Sequence, residues 1–184
     1  LEGVVDIDVN EASLCGISTP GLIELSSSLL KLEFKPFTEE EDLANAIKCL
    51  FDTAGIITGA FNFDGNISSD GDIVNVMNSL EGELKLTSTK GRVTKYGGLA
   101  RFFSALNFGE IFRGNTIDYE DEGFPYSFIT VTAEINDGQL IIKEAAMDGP
   151  SLKIVCEGSI DLVNQKLDLK ILVIPVMAVD SVIE

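Results

Sequence analysis

The chain is 184 residues long, 45% hydrophobic and formally −17 at pH 7, with 30 acidic against 13 basic side chains. That length and apolar content suit one domain, 1–184, with a real core, while the charge argues against nucleic acid or an anionic membrane surface as a direct partner and otherwise serves solubility. Histidine is absent, which excludes Ser-His-Asp, Cys-His and His-metal chemistry and leaves an enzyme only carboxylates or lysine.

Taken in order, Val5, Ile7 and Val9 alternate with Asp6 and Asp8, a half-buried strand that ends at Asn10-Glu11. Thr19-Pro20-Gly21 is turn chemistry, and Leu30, Leu32 and Phe34 alternate with Lys31 and Glu33 until Pro36 stops the run. The period then changes. Leu43, Ala46, Ile47 and Leu50 recur at helical spacing, Thr38 with Glu41 reads as a capping pair, and residues 39–42 place four acids where a helix dipole favours them; this predicts a helix over 39–52. Ile57, Phe61, Phe63 and Ile67 mark one face of a long strand. Ile73, Val76, Met77 and Leu80 have short helical spacing, Leu84 and Leu86 resume alternation, and Gly91-Arg92-Val93 begins another short strand or turn. Leu99, Phe102, Phe103 and Leu106 share one face, predicting a second amphipathic helix over 98–112, and residues 115–123 read as an acidic loop.

From Phe124 to Pro175 the pattern is an antiparallel meander. Ile129, Val131, Ala133 and Ile135 alternate with polar residues, Asn136-Asp137-Gly138 supplies a hairpin turn, and Leu140 and Ile142 continue the face. After Asp148-Gly149-Pro150, Leu152, Ile154, Cys156, Gly158 and Ile160 alternate with Lys153, Glu157, Ser159 and Asp161; beyond Asn164-Gln165, Leu167, Leu169, Ile171 and Val173 oppose Lys166, Asp168 and Lys170. The predicted class is therefore α+β: a β-rich, strongly twisted and curved antiparallel sheet, groove-like, with two main amphipathic helices.

Alternation shows that a face is buried and never by what. At least seven extended segments each present three or more large apolar residues, against two helices to cover them. The expectation is an incompletely sealed face, an apolar wall of Ile129, Val131, Leu140, Ile142, Leu152, Ile154, Ile160, Leu167, Leu169 and Ile171, open to an acyl chain or to another segment of a longer protein. The competing outcome is an ordinary core. Carboxylate pairs such as Asp161 with Asp168, or Asp148 with Glu157, can in principle do acid–base work, but they sit on polar strand faces and in turns where solvated charge is the usual reason; no enzyme and no cofactor are expected. Cys15, Cys49 and Cys156 show no C-x-x-C spacing, and Cys156 lies on an apolar face as a small hydrophobe. Cys15 follows the first strand and Cys49 ends the first helix, positions a short chain packs together, whether as a disulfide or as two free thiols. No apolar run approaches the roughly 20 residues of a membrane span. The chain starts in alternation and stops in an apolar pattern, and so reads as a piece of something longer.

Several segments, in order, resemble one family. Ile57-Thr58-Gly59-Ala60-Phe61-Asn62-Phe63, Leu80-Glu81-Gly82-Glu83-Leu84, Phe103-Ser104-Ala105-Leu106-Asn107, Gly138-Gln139-Leu140, Met147-Asp148-Gly149-Pro150, Glu157-Gly158-Ser159-Ile160-Asp161-Leu162 and Leu172-Val173-Ile174-Pro175 follow the order and spacing of the C-terminal region of AsmA-like proteins, a bacterial envelope family. The resemblance implies a β-rich groove, a periplasmic location with an inner-membrane anchor outside this chain, and phospholipid as the ligand of the larger relatives, carried toward the outer membrane. It implies partnership with the remainder of a parent polypeptide, and an oxidising compartment in which Cys15 and Cys49 pair. The alternative is an assembly scaffold for outer-membrane biogenesis without a ligand of its own.

Overall fold

The computed structural model describes residues 3–52, 57–93, 124–150 and 152–176. Its strands are β1 (Val5–Val9), β2 (Ser13–Leu14), β3 (Ile17–Ser18), β4 (Gly21–Leu25), β5 (Leu29–Phe34) and β6 (Phe37–Asp42), then, after the helix α1 (Leu43–Phe51), β7 (Ile57–Asp72), β8 (Leu80–Val93), β9 (Phe124–Asn136), β10 (Gln139–Asp148), β11 (Leu152–Asp161) and β12 (Lys166–Pro175). They form one open sheet in the order β1-β4-β5-β7-β8-β9-β10-β11-β12, antiparallel throughout.

The long β7 organises the N-terminal half. Strand β6 pairs with its residues 60–64 and β5 with its residues 67–72, so one strand is flanked by two successive ones. Pro36 separates them because it has no N–H to continue a ladder; its carbonyl instead accepts from the Gly65 N–H at 2.9 Å. The C-terminal half is the meander that alternation predicts. Between β9 and β10 the two loop residues Asp137 and Gly138 both take positive φ, 49° and 72°, which is the backbone a two-residue hairpin with right-handed twist requires.

The helix begins later than the sequence suggests. Residues 39–42 extend β6 rather than opening a helix, and Thr38 does not cap: it is buried, and its Oγ1 donates to the Gly16 carbonyl at 3.0 Å. The N-cap is Asp42, whose Oδ1 accepts from the Asn45 N–H at 2.9 Å. Pairing with β7 outweighs the local preference of four consecutive acids for a helix N-terminus, since the ladder satisfies backbone groups that a first helical turn would leave open. The helical spacing at 73–80 yields only a 3-10 turn, Ile73–Asn75, before β8 takes over at Leu80, and β8 then runs through 91–93 without a break. The predicted helix over 98–112 and the loop at 115–123 lie outside the described residues. Among the described residues α1 is the single α-helix, so these residues form a β unit carrying one helix rather than an α+β unit with two.

That helix sits on one face of the sheet. Leu43 and Ala46 pack with Phe61 into the buried core, joined by Ile17, Ile47, Ile57, Phe63 and Leu86. Helix α1 has nine residues, too few to persist alone, and it is pinned by a disulfide from Cys49 in its last turn to Cys15 in the β2–β3 turn, with Cα atoms 5.5 Å apart. Cys15 and Gly16 both take positive φ there, 55° and 84°, which turns the thiol back toward the helix.

Candidate functional site

Strand register decides which apolar residues share a face. One row of opposed residues runs Val9, Gly21, Phe34, Ile67, Gly82, Ile135, Leu140, Ile160 and Leu167, crossing the sheet from β1 to β12. A second runs Phe63, Leu86, Val131, Ala145, Cys156 and Ile171, and a third runs Phe61, Ser88, Ile129, Met147, Ile154 and Val173. Directly opposed residues point to the same side. The same face takes Ala133, Ile142, Gly158 and Leu169 in a fourth row and Leu152 opposite Pro175. All ten residues of the expected wall therefore lie on one face, the face that carries α1 at its other end. The wall is also wider than the meander, because it continues through β8, β7, β5, β4 and β1 as Leu84, Phe63, Leu32, Ile23 and Ile7.

A bulge keeps β10 in phase. Register shifts after Ile142, where Lys143 and Glu144 together occupy one outward step, so that Ala145 and Met147 return to the apolar side. Without that extra residue the second half of the strand would turn its apolar side chains to the polar face.

Cover is uneven along the wall. Leu152 is 4% exposed, whereas Leu169 is 36% and Leu167 69% exposed. Ile129, Val131, Leu140, Ile142, Ile154, Ile160 and Ile171 are half-buried. The opposite face of β11 and β12 carries Lys153, Glu157, Asp168 and Lys170 together with the exposed Val155, Leu172 and Ile174; a depression of about 550 Å³ at this end of the sheet is lined by Gln139, Ile141, Glu157, Ser159, Asp168 and Lys170 and also touches Ile142 and Gly158.

Where β7, β8 and β9 meet, a buried hydroxyl pair ties the wall together. The Tyr126 hydroxyl donates to the Thr58 carbonyl at 2.7 Å and lies 2.7 Å from Ser88 Oγ, which donates to the Ala60 carbonyl at 2.7 Å. The ring occupies the space above two glycines, Gly59 on β7 and Gly91 on β8; a Cβ at either would collide with the Tyr126 hydroxyl. Gly59 has φ of +135° at the β7 irregularity, so the pair satisfies carbonyls that the distorted ladder presents. Burial pushes the Tyr126 pKa up and the Ser88 contact opposes it, so the hydroxyl stays a neutral donor at physiological pH. Tyr126→Phe keeps the ring over the glycines and removes the donor; it is expected to lower stability by about 1–3 kcal/mol in urea denaturation, with Ser88→Ala in the Phe background adding less than it costs alone. Sequence reading assigns Tyr126 no role, and its partners come from two other strands.

The carboxylates are engaged separately. Asp148 pairs with Lys153 at 3.0 Å and Glu157 with Lys170 at 3.4 Å, while Asp168 stands opposite Ser159. Asp161 closes the β11–β12 turn, accepting from the Asn164 N–H at 2.8 Å, the Asn164 side-chain amide at 2.8 Å and the Val163 N–H at 3.0 Å; these donors, Asn164 foremost, lower its pKa to about 2. Of the two carboxylate pairs suggested by sequence, Asp148 stands opposite Lys153, well along β11 from Glu157, while Asp161 and Asp168 are diagonal neighbours on one face. The Cys156 thiol is half-buried on the apolar face, its pKa pushed up by burial and by the Glu157 charge.

Comparison with curated proteins and with solved structures returns no match. Comparison with protein families does: residues 37–181, well over half of the chain, match the model of the YhdP protein family. The match takes in β6 to β12 and with them the whole C-terminal part of the apolar wall. This open sheet with one apolar face thus belongs to a YhdP family protein, of the AsmA-like type.

Proposed function

We propose that the chain corresponds to the C-terminal region of an AsmA-like envelope protein and that its apolar face is a stretch of groove receiving phospholipid acyl chains, without catalysis. The observation that carries this reading is the gradient along the wall: β11 and β12 hold Ile154, Ile160, Leu167, Leu169 and Ile171 in register on one face, and cover falls away toward β12. An acyl chain is uncharged, flexible and slides along an apolar surface without needing fixed polar contacts, which suits a wall whose described strands direct apolar side chains to it. In this reading the protein works in the periplasm, held at the inner membrane through a segment outside this chain, and serves outer-membrane lipid homeostasis. The Cys15–Cys49 disulfide supports an oxidising compartment. Among the described residues β1 and β12 each have a neighbour on one side only, which favours a second reading, an assembly scaffold that binds by adding strands.

Native mass spectrometry with lipid extraction separates the two. The purified chain is expected to carry phospholipid, and Leu169→Glu is expected to lose it while melting within a few degrees of the parent, because a partly exposed site accommodates the charge. A chain that purifies free of lipid and takes up none from phospholipid vesicles favours the scaffold.

A further inference from the structure

We propose that α1 is the stop at which the acyl-chain lane of the wall ends, and that the Cys15–Cys49 disulfide is what keeps this stop seated. This rests on the acyl-chain reading of the wall and fixes where on it a bound chain can lie. The second and third rows both run into α1. Leu43 and Ala46 pack on Phe61, and Phe63 and Leu86 join the same cluster, so the helix lies over the β7 and β8 members of those rows. On the far side of β7 the apolar run also ends in its chemistry, because β6 sets Thr38 opposite Phe63 and Glu41 opposite Phe61. Toward β12 the same rows continue through the half-buried Val131, Ile154 and Ile171. An acyl chain lying across the strands along these rows therefore reaches β9 and meets the helix. The first row instead passes on from Ile67 to Phe34 on β5.

Little besides the disulfide seats the helix. Its nine residues bury only Leu43 and Ala46, it is too short to persist alone, and its cap is the single Asp42 hydrogen bond. Asp42 is also the last residue of β6, so the ladder to β7 fixes the N-terminal end of α1 while the C-terminal end depends on Cys49. The bond carries that end to Cys15, in a turn held to β6 twice over: Ser18 pairs with Phe37, and Thr38 Oγ1 donates to the Gly16 carbonyl. Strand β6, helix, disulfide and turn thus close a bracket around Phe61. With the bond open, Leu43 and Ala46 alone hold the helix down, and an acyl chain competes for Phe61 and Phe63 with the same apolar chemistry. Cys49 is exposed, so a dithiol reductant has access: one of its thiolates attacks the disulfide, the other displaces the mixed disulfide, and two cysteine thiols and an oxidised reductant result.

Tryptophan is absent from the chain and serves as the reporter. Phe63→Trp places one under α1, Leu86→Trp repeats that placement on the next strand, and Ile171→Trp places one at the other end of the same row. Each variant, its fold confirmed by circular dichroism, is loaded from vesicles of phosphatidylcholine brominated on its acyl chains, which quench an indole they touch, and is then separated from them. With the disulfide intact, Ile171→Trp is expected to lose most of its fluorescence, and Phe63→Trp and Leu86→Trp to keep theirs. After dithiothreitol, or with Cys49→Ser added and no reductant, the two reporters under α1 are expected to fall to the level of Ile171→Trp. An Ile171→Trp that stays bright in both states overturns the acyl-chain reading itself, and this proposal with it. Where Ile171→Trp is quenched, quenching of the other two in the oxidised chain shows that α1 stops nothing, and their staying bright in both states shows that the disulfide does not hold it; either result overturns this proposal alone.

Discussion

Reducing the Cys15–Cys49 disulfide, or replacing Cys49 with serine, is expected to lower the unfolding free energy by about 3–4 kcal/mol, the chain-entropy value for a closed loop of the 34-residue separation seen here. The effect is expected to be local in its structural consequence. The bond joins the β2–β3 turn to the last turn of α1, and what α1 otherwise has is the packing of Leu43 and Ala46 on Phe61 and the Asp42 cap. A nine-residue helix released from its tether frays at its C-terminal end first. Hydrogen exchange on the reduced protein should therefore lose protection in α1 and β2–β3 while β9 to β12 keep theirs, and the urea midpoint should fall. Cys49 is exposed, so dithiothreitol reaches it in the folded protein. An unchanged midpoint on reduction would show that the tether adds nothing the packing does not already supply, and would remove the compartment argument that rests on it.

How far the sequence foretells this depends on whether the deciding interaction is local. The strands of the meander are legible because a period of two needs no partner to be seen: Leu167, Leu169 and Ile171 must share a face whatever lies beside them. Their alignment with Ile160, Gly158 and Cys156 is legible as far as the short turn at Asn164-Gln165 constrains it. The onset of α1 is not, because the acids of residues 39–42 look the same in an edge strand and in a first helical turn, and only the distant β7 decides between them. Lys143-Glu144 is a signal that alternation analysis passes over: two polar residues in succession between apolar ones are the mark of the β10 bulge, and they keep Ala145 and Met147 on the wall. Tyr126 had no such mark. Its place is set by Gly59 and Gly91, which leave room for a ring only once three strands are side by side.

Phe61→Ala is expected to cost about 3–5 kcal/mol, whereas Leu169→Ala on the same face is expected to cost about 1 kcal/mol or less. Both residues belong to the apolar wall, so the contrast measures what the wall is made for at each end. Phe61 is 2% exposed and sits under Leu43 and Ala46, where truncation leaves a cavity that a sheet held by β6 and β8 cannot collapse to fill. Leu169 is 36% exposed near the sheet edge, with Gly158 opposite it, so truncation there mostly exchanges one wetted surface for a smaller one. A sealed core would make the two costs similar, since a leucine buried throughout loses about 2–5 kcal/mol on truncation to alanine. Measuring both by urea denaturation at low protein concentration, with bound lipid removed, isolates the chain's own contribution; repeating the Leu169→Ala measurement with phospholipid present should then widen its cost, because a ligand that binds only the folded state stabilises the parent more than a variant with a weakened wall. Equal costs for Phe61→Ala and Leu169→Ala in the absence of lipid would mean that the β12 end is packed like a core, and the acyl-chain groove would have to be given up for it.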